Sequence, residues 1–249
     1  MIFDSLLYQY VESGLPVVAG LTGYGHAITI IGHISDLSLG SSGVTSYRYL
    51  KAFLANDDNY MPYHAIRKTG HRPSGHWSDF KMEDIDLFIV PLYEKIHLSA
   101  EHVMKLAEAI LTNNDLGIDA CSNALAYDQL ITRTFLTSSK SYKNFRRKNP
   151  LPFGISKVYS ELQMPKFIWV CEISTPELYA DGKVAGELIF DATANQYDRF
   201  AFLAIHYPDF LLLNDRSFLT DDPKRFIIRN VEIGDVVPYH CYVNNLCEV

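Results

Sequence analysis

Two histidines near the amino terminus and four cysteines are the residues of this sequence whose types could do nucleophilic chemistry. An imidazole beside a thiol can take up its proton and leave a reactive thiolate, because a free thiol with a pKa of about 8.5 is mostly protonated at neutral pH. His26 and His33 lie seven residues apart, so on a continuous strand they would point to opposite faces. We favour His26 as the base, because Gly25 permits close backbone approach, whereas His33 is expected in a loop beyond Gly32.

The four cysteines are far apart and form no Cys-x-x-Cys pair, which argues against a disulfide scaffold and a structural zinc site. Cys121 precedes a predicted helix, where the helix dipole would favour a thiolate, and is the candidate nucleophile within the chain. An inert buried thiol is the commoner role of such a residue. Cys171 lies in an apolar run and is expected to be a core thiol, and Cys241 and Cys247 have no helix start beside them.

Apolar spacing in the first part of the chain predicts a helix followed by strands. The helical stripe consists of Phe3, Leu6, Leu7, Tyr10 and Val11. Two runs rich in β-branched residues, 15–21 and 27–31, then read as adjacent strands divided by a glycine-containing turn. A third strand is predicted over 47–55, and a short buried strand over 87–90. Ser99 predicts the N-cap of a further helix, which continues to residue 111.

The second part of the chain is predicted to be helical and then β-rich. A helix is expected to begin near Ser122 and to use Leu125, Leu130, Ile131 and Phe135, with a basic run at its far end. From Lys166 onward the pattern is typical of strands, which are expected at 167–173, 187–191, 200–205, 226–231 and 236–243. The class is therefore α+β, with a helical segment over 96–160 and a β-rich region over 161–249 that packs on the same core.

The segment from Gly25 to Gly32, with the helix and the Leu15-Pro16-Val17-Val18 run before it, resembles the histidine-bearing half of papain-like cysteine peptidases. Within that superfamily it is most similar to the branch of bacteriocin-leader peptidases. The resemblance covers about the first 65 residues and implies a partial papain-like domain, a helix with an antiparallel sheet, over 1–95. In the family, the equivalent histidine opens a central strand and deprotonates a cysteine.

The resemblance also implies a residue that orients the ring of His26. In the family this is an Asn or Asp at the end of the next strand, and Asn56-Asp57-Asp58-Asn59 occupies that place, so Asp57 or Asp58 is expected in this role. The family's cysteine begins a helix upstream of the histidine, whereas no cysteine precedes His26 here. The thiol could come from a longer reading frame, from a partner polypeptide, or from Cys121 in a permuted arrangement. Alternatively, the domain is a descendant of the family that has lost catalysis.

Two functions are therefore expected from the sequence. The first is a papain-like, cysteine peptidase-like hydrolase that acts on peptide or amide bonds if a nucleophilic cysteine is supplied. The alternative is a catalytically inactive papain-like domain that binds a peptide or protein partner. No pattern in the sequence reports the oligomeric state or the pathway.

Composition and motifs argue against several other classes. The formal charge of −7 and the pI near 5.7 disfavour a nucleic-acid partner. The basic run from Lys140 to Lys148, interleaved with Tyr142 and Phe145, could contact phosphate and stack bases, but a solvated helix face explains it as simply. The glycines form no nucleotide fingerprint, and His71 and His76 lack a third ligand, so no cofactor and no metal are expected. Without a signal peptide or a long apolar run, the chain is expected to be cytoplasmic, with no membrane partner.

Overall fold

The computed structural model divides the chain into two compact units, Met1–Tyr93 and Glu94–Val249, which we call the amino-terminal and carboxyl-terminal units. The residues that the structure describes are 3–39, 43–60, 62–68, 80–112, 126–149, 151, 153–207, 210–215, 227–232 and 238–243. Several residues singled out from the sequence lie outside the described ranges, namely His71, His76, Cys121 and Cys247.

The described residues of the amino-terminal unit form one α-helix and a five-stranded antiparallel sheet of order β4-β3-β2-β1-β5. Its elements are α1 (Phe3–Glu12), β1 (Val17–Leu21), β2 (His26–Ser35), β3 (Leu50–Asn56), β4 (His64–Arg67) and β5 (Leu87–Ile89). The predicted helix and the predicted pairing of the first two strands are confirmed, with Val18 opposite Thr29. The buried strand predicted near residue 87 is instead an edge strand, because β5 pairs only with β1 and exposes Leu87 and Ile89.

The carboxyl-terminal unit is built on a six-stranded antiparallel sheet of order β12-β11-β10-β9-β7-β6, with β8 and β13 forming a separate pair. Its helices are α2 (Ala100–Leu111), α3 (Ser139–Lys148), α4 (Phe153–Glu161) and α5 (Pro176–Ala180). Its strands are β6 (Ile131–Ser138), β7 (Phe167–Ser174), β8 (Lys183–Val184), β9 (Gly186–Asp191), β10 (Phe202–His206), β11 (Phe210–Asp215), β12 (Ile227–Glu232) and β13 (Tyr239–His240). The predicted Ser99 cap is confirmed, since its side chain accepts from the His102 N–H.

The helix predicted through Ile131 and Phe135 is wrong, because Ile131–Ser138 forms strand β6. Almost every side chain of β6 is buried, so its apolar residues show no alternation and their spacing fits a helix as well as a strand. The β-branched threonines at 132, 134 and 137 favour the strand. The basic run belongs to α3, which begins only after this strand ends.

The described residues form both helices and antiparallel sheets, which confirms the α+β class. Within the described ranges, the helices are too short or too polar to cross a lipid bilayer.

Four charged side chains lie together in the interior of the carboxyl-terminal unit, and we call Arg133, Arg146, Glu172 and Glu187 the buried charge cluster. Glu172 on β7 lies opposite both Arg133 on β6 and Glu187 on β9 in the strand register. The two carboxylates would repel each other, because like charges directly opposite in a ladder are destabilising. Arg146 of α3 joins them, with its Nη2 3.2 Å from Glu172 Oε1 and 2.6 Å from Glu187 Oε2.

His206, which is fully buried beside this cluster, makes the stability of the carboxyl-terminal unit depend on pH. Burial lowers the pKa of His206 to about 4 from an ordinary value of 6.5, so the unfolded chain takes up a proton first as the pH falls. Its contribution to stability is complete above pH 6.5 and is lost as the pH falls towards 4. Between pH 6.5 and 5 we expect a loss of about 1.5 kcal/mol in the free energy of unfolding.

Urea titrations at the two pH values test this expectation. Trp169, one of two tryptophans, reports unfolding of this unit in a Trp77→Phe background. His206→Gln keeps a polar partner for the Tyr239 hydroxyl, which lies 3.2 Å from His206 Nδ1, and should flatten the pH dependence. Equal pH dependence in the parent and in His206→Gln would show that the acid sensitivity originates elsewhere.

Candidate active site

The structure brings His26 and Asp57 together at one end of two neighbouring inner strands of the amino-terminal sheet. His26 is the first residue of β2, and Asp57 directly follows Asn56, the last residue of β3. These two strands are antiparallel, with Thr29 opposite Asn56, so the start of one lies beside the end of the other. The His26 Nε2 atom is 3.0 Å from Asp57 Oδ1, a normal hydrogen-bond distance.

The Asp57 carboxylate determines which nitrogen of the His26 ring carries the proton. An ionised carboxylate only accepts hydrogen bonds, so His26 Nε2 must carry the proton that is donated to Asp57 Oδ1. In the neutral ring the basic nitrogen is then Nδ1, and a thiol deprotonated by His26 would have to approach that atom. The Asp57 side chain is only 2% exposed against 15% for His26, so the acid is the inner and the imidazole the outer member of the pair.

Asp57 is itself held by the turn that follows β3. Its Oδ1 accepts from the backbone N–H of Asn59 at 2.9 Å, while its buried Oδ2 has no hydrogen-bond partner among the described residues. Asp58, the other acid implied by the family resemblance, is exposed. The geometry therefore favours Asp57 over Asp58 as the residue that orients the ring.

A short turn that ends in a glycine positions His26 at the start of β2. Residues Thr22–Tyr24 form a 3-10 turn, and Gly25 ends it at φ 61° with its N–H bonded to the Thr22 carbonyl. The side chain of Asp86 accepts from both the backbone N–H and the hydroxyl of Thr22, which fixes the turn beside β5. The centroid of the Phe80 ring lies 5.8 Å from the centroid of the His26 imidazole, with the two rings tilted by 31°.

Gly25→Ala should destabilise this turn, because a residue with a Cβ is strained at positive φ. We expect a loss of about 1 kcal/mol in the free energy of local unfolding. The matched control is Gly23→Ala in the same turn, where an added Cβ meets no atom within 4 Å. Native-state hydrogen exchange of the β1 and β2 amides measures both variants, and equal protection in the two would contradict a strain at Gly25.

His26, Asp57 and Asp58 also form a potential metal site, since each can place one ligand atom within 4.8 Å of the others. Imidazole nitrogen and carboxylate oxygen suit zinc, for which catalytic sites use three protein ligands and a water. The same residues thus fit two mechanisms, activation of a thiol by His26 and activation of a water molecule by a bound metal. A chelator distinguishes the two mechanisms, because only the metal-dependent mechanism would lose activity when the metal is removed.

A second imidazole–carboxylate pair, not predicted from the sequence, lies elsewhere on β2. His33 Nε2 is 2.5 Å from Glu12 Oε2 at the end of α1, and His33 Nδ1 is 3.3 Å from Ser35 Oγ. The expectation that His33 lies in a loop is wrong, because β2 continues to Ser35. Alternation cannot be counted from His26 to His33 either, since the register shifts between Ile30 and Gly32.

The described cysteines do not suit the role of a nucleophile. Cys171 is fully buried in β7, and desolvation raises the pKa of its thiol to about 12, which confirms the expected core thiol. Burial followed by the charge of Glu172 also raises the pKa of Cys241. A raised pKa leaves little thiolate at neutral pH, so neither residue is an activated nucleophile. Cys121 and Cys247 lie outside the described residues.

Comparisons with models of protein families, with curated proteins and with solved structures found no match. The papain-like assignment therefore stays a prediction from the sequence.

Proposed function

We propose that this chain is a papain-like, cysteine peptidase-like protein that acts on peptide or amide bonds, with His26 as the base and Asp57 as the residue that orients it. The observation that carries the proposal is the 3.0 Å hydrogen bond between His26 Nε2 and Asp57 Oδ1, at the start of one strand and the end of the next. A base needs a fixed ring orientation and a defined tautomer, and a buried acceptor supplies both.

In the proposed reaction, His26 Nδ1 takes the proton of a cysteine thiol and the thiolate attacks the carbonyl carbon of the scissile amide. The proton then passes from the imidazolium to the leaving amine, and water hydrolyses the acyl-enzyme with His26 again as base. The Asp57 carboxylate stabilises the imidazolium that forms in both steps. Burial and raised pKa values disfavour Cys171 and Cys241 in this role, so the thiol is expected from Cys121 or from another polypeptide.

A non-catalytic peptide-binding domain is the second candidate, and exposed aromatic residues around the pair favour it. Tyr24 in the turn before His26 is 54% exposed, and Tyr60 and Tyr63 after Asp57 are 40% and 68% exposed. Exposed tyrosines offer large contact areas at a low entropic cost, as in many binding surfaces. Peptide binding that is lost in Tyr63→Ser and kept in Tyr197→Ser, an exposed tyrosine of the other unit, would support this candidate.

Alkylation of each cysteine tests the proposed function directly. The purified chain is treated with iodoacetamide at pH 7, and the modified fraction of each of the four cysteines is followed by peptide mass mapping. We expect one cysteine to react at least tenfold faster than a free thiol, and to slow to the ordinary rate in His26→Gln. Uniformly slow reaction at all four would contradict a catalytic thiol within the chain.

Peptide cleavage is measured in parallel with and without a chelator. Cleavage that survives EDTA but stops after alkylation supports the thiol mechanism. Cleavage that stops with EDTA and returns with zinc would assign the His26, Asp57 and Asp58 group to a metal instead.

A further inference from the structure

A cavity of about 200 Å³ opens in the carboxyl-terminal unit between helices α3 and α4. Its lining mixes aromatic rings, hydroxyls and positive charges, contributed by Tyr142, Lys143, Arg146, Arg147, Leu151, Ser156, Tyr159 and Ser160. Part of the basic run noted in the sequence therefore forms one wall of an open cavity. Tyr142 is fully buried, so it is not available to stack on the bases of a nucleic acid.

Two uncompensated positive charges belong to this wall. Lys143 is half-buried and donates from Nζ to the Leu162 carbonyl at 2.7 Å, and Arg147 is exposed. Within the described ranges neither side chain forms an ion pair with a carboxylate. Lys143 and Arg147 are four residues apart on α3, a spacing at which like charges repel each other, and burial and then the charge of Arg147 lower the pKa of Lys143. An anion placed between them would relieve this repulsion.

The inner part of the cavity offers hydrogen bonds without net charge. Arg146, 5% exposed, is neutralised by Glu172 and Glu187, yet its buried Nε has no hydrogen-bond partner. The buried Tyr159 hydroxyl lies close to the Glu187 carboxylate, whose negative charge adds to burial in raising the pKa of Tyr159. A buried donor without a partner is costly, so a ligand atom that accepts from Arg146 Nε would satisfy it.

We propose that this cavity binds a small aromatic anion, with its phosphate or carboxylate between Lys143 and Arg147 and its ring packed against Leu151 and Tyr159. Glu172 and Glu187 already compensate the charge of Arg146 at the inner end, so the anionic group of the ligand is expected beside Lys143 and Arg147. The volume fits one ring, since a cavity of about 150 Å³ accommodates benzene. This site is separate from His26 and Asp57 and does not depend on the proposed peptidase function.

Calorimetric titration of the full chain with phenyl phosphate tests the proposal. Phenylacetate distinguishes carboxylate from phosphate recognition, and inorganic phosphate and benzyl alcohol each retain only one half of the ligand. We expect phenyl phosphate or phenylacetate to bind at least roughly tenfold more tightly than either half, since ring burial and charge contacts both contribute.

Variants of α3 then assign the binding to the cavity. Lys143→Gln and Arg147→Gln should each weaken binding roughly tenfold, whereas Lys148→Gln should not change it. Lys148 is the matched control, because it is an exposed cation of the same helix that does not line the cavity. Because Arg147 is exposed, the variant Arg147→Gln is expected to fold normally. A thermal melt of the variant checks this expectation.

Three results would overturn the proposal. The first is the absence of saturable binding by both aromatic anions. The second is equal binding of inorganic phosphate and phenyl phosphate, which would indicate a surface ion contact only. The third is an equal loss in Lys148→Gln and Arg147→Gln, which would indicate attraction by the basic helix as a whole.

Discussion

Arg146→Met should destabilise the carboxyl-terminal unit by about 3–5 kcal/mol, because it leaves two buried carboxylates without their shared cation. Glu172 and Glu187 are 1% and 0% exposed and lie opposite each other in the sheet. Burial already raises the pKa of Glu172, and the Arg133 and Arg146 charges oppose that rise. Without Arg146, Glu172 should bind a proton more readily in the folded state than in the unfolded chain. The loss of unfolding free energy caused by Arg146→Met should therefore become smaller as the pH falls.

Urea denaturation followed by Trp169 fluorescence in the Trp77→Phe background measures this effect. Arg147→Met is the matched control, an adjacent but exposed arginine, and should change stability by no more than about 0.5 kcal/mol. The double variant Arg146→Met/Glu187→Gln should recover much of the loss, because it removes the charge of Glu187 and leaves Glu172 paired with Arg133. A loss below about 1 kcal/mol in Arg146→Met, on the scale of an ordinary surface ion pair, would contradict the role assigned to the cluster.

His26→Gln should lower kcat/KM for peptide cleavage by about 10²–10⁴-fold, the usual contribution of a general base. Glutamine keeps a polar side chain of similar reach, but it cannot take up the thiol proton. His33→Gln is the control, because His33 is on the same strand and is also paired with a carboxylate. A comparable loss in both variants would point to damage to β2 rather than to a catalytic base.

The two acids can be ranked in the same assay. Asp57→Ala should lower kcat/KM much more than Asp58→Ala does, because Asp57 is the acid that is hydrogen-bonded to the His26 ring. Thermal melts of both variants separate a fold defect from a change in activity. A larger loss in Asp58→Ala would contradict the assignment and would favour the metal arrangement, in which the exposed carboxylate is a ligand.

Local patterns in the sequence were sufficient for the elements that have one apolar face. The stripe of α1, the Ser99 cap of α2 and the paired strands β1 and β2 all follow from residue spacing that repeats within a few residues. Strand β6 was misread because it is buried on both faces, so its spacing carries no period of two. Edge strand β5 was expected to be buried for a related reason, since its apolar residues do not indicate how many neighbours it has.

The pairing of His26 with Asp57 could be anticipated from the family resemblance, which implies an acid at the end of the strand that follows the histidine strand. The contacts of Glu12 with His33 and of Arg146 with Glu187 could not, because no motif in the sequence links the end of α1 to β2 or links α3 to β9. Local spacing does not encode which distant strand will carry the opposite charge. The order of strands in each sheet and the packing of α3 determined those partners, and with them the cavity beside Arg146.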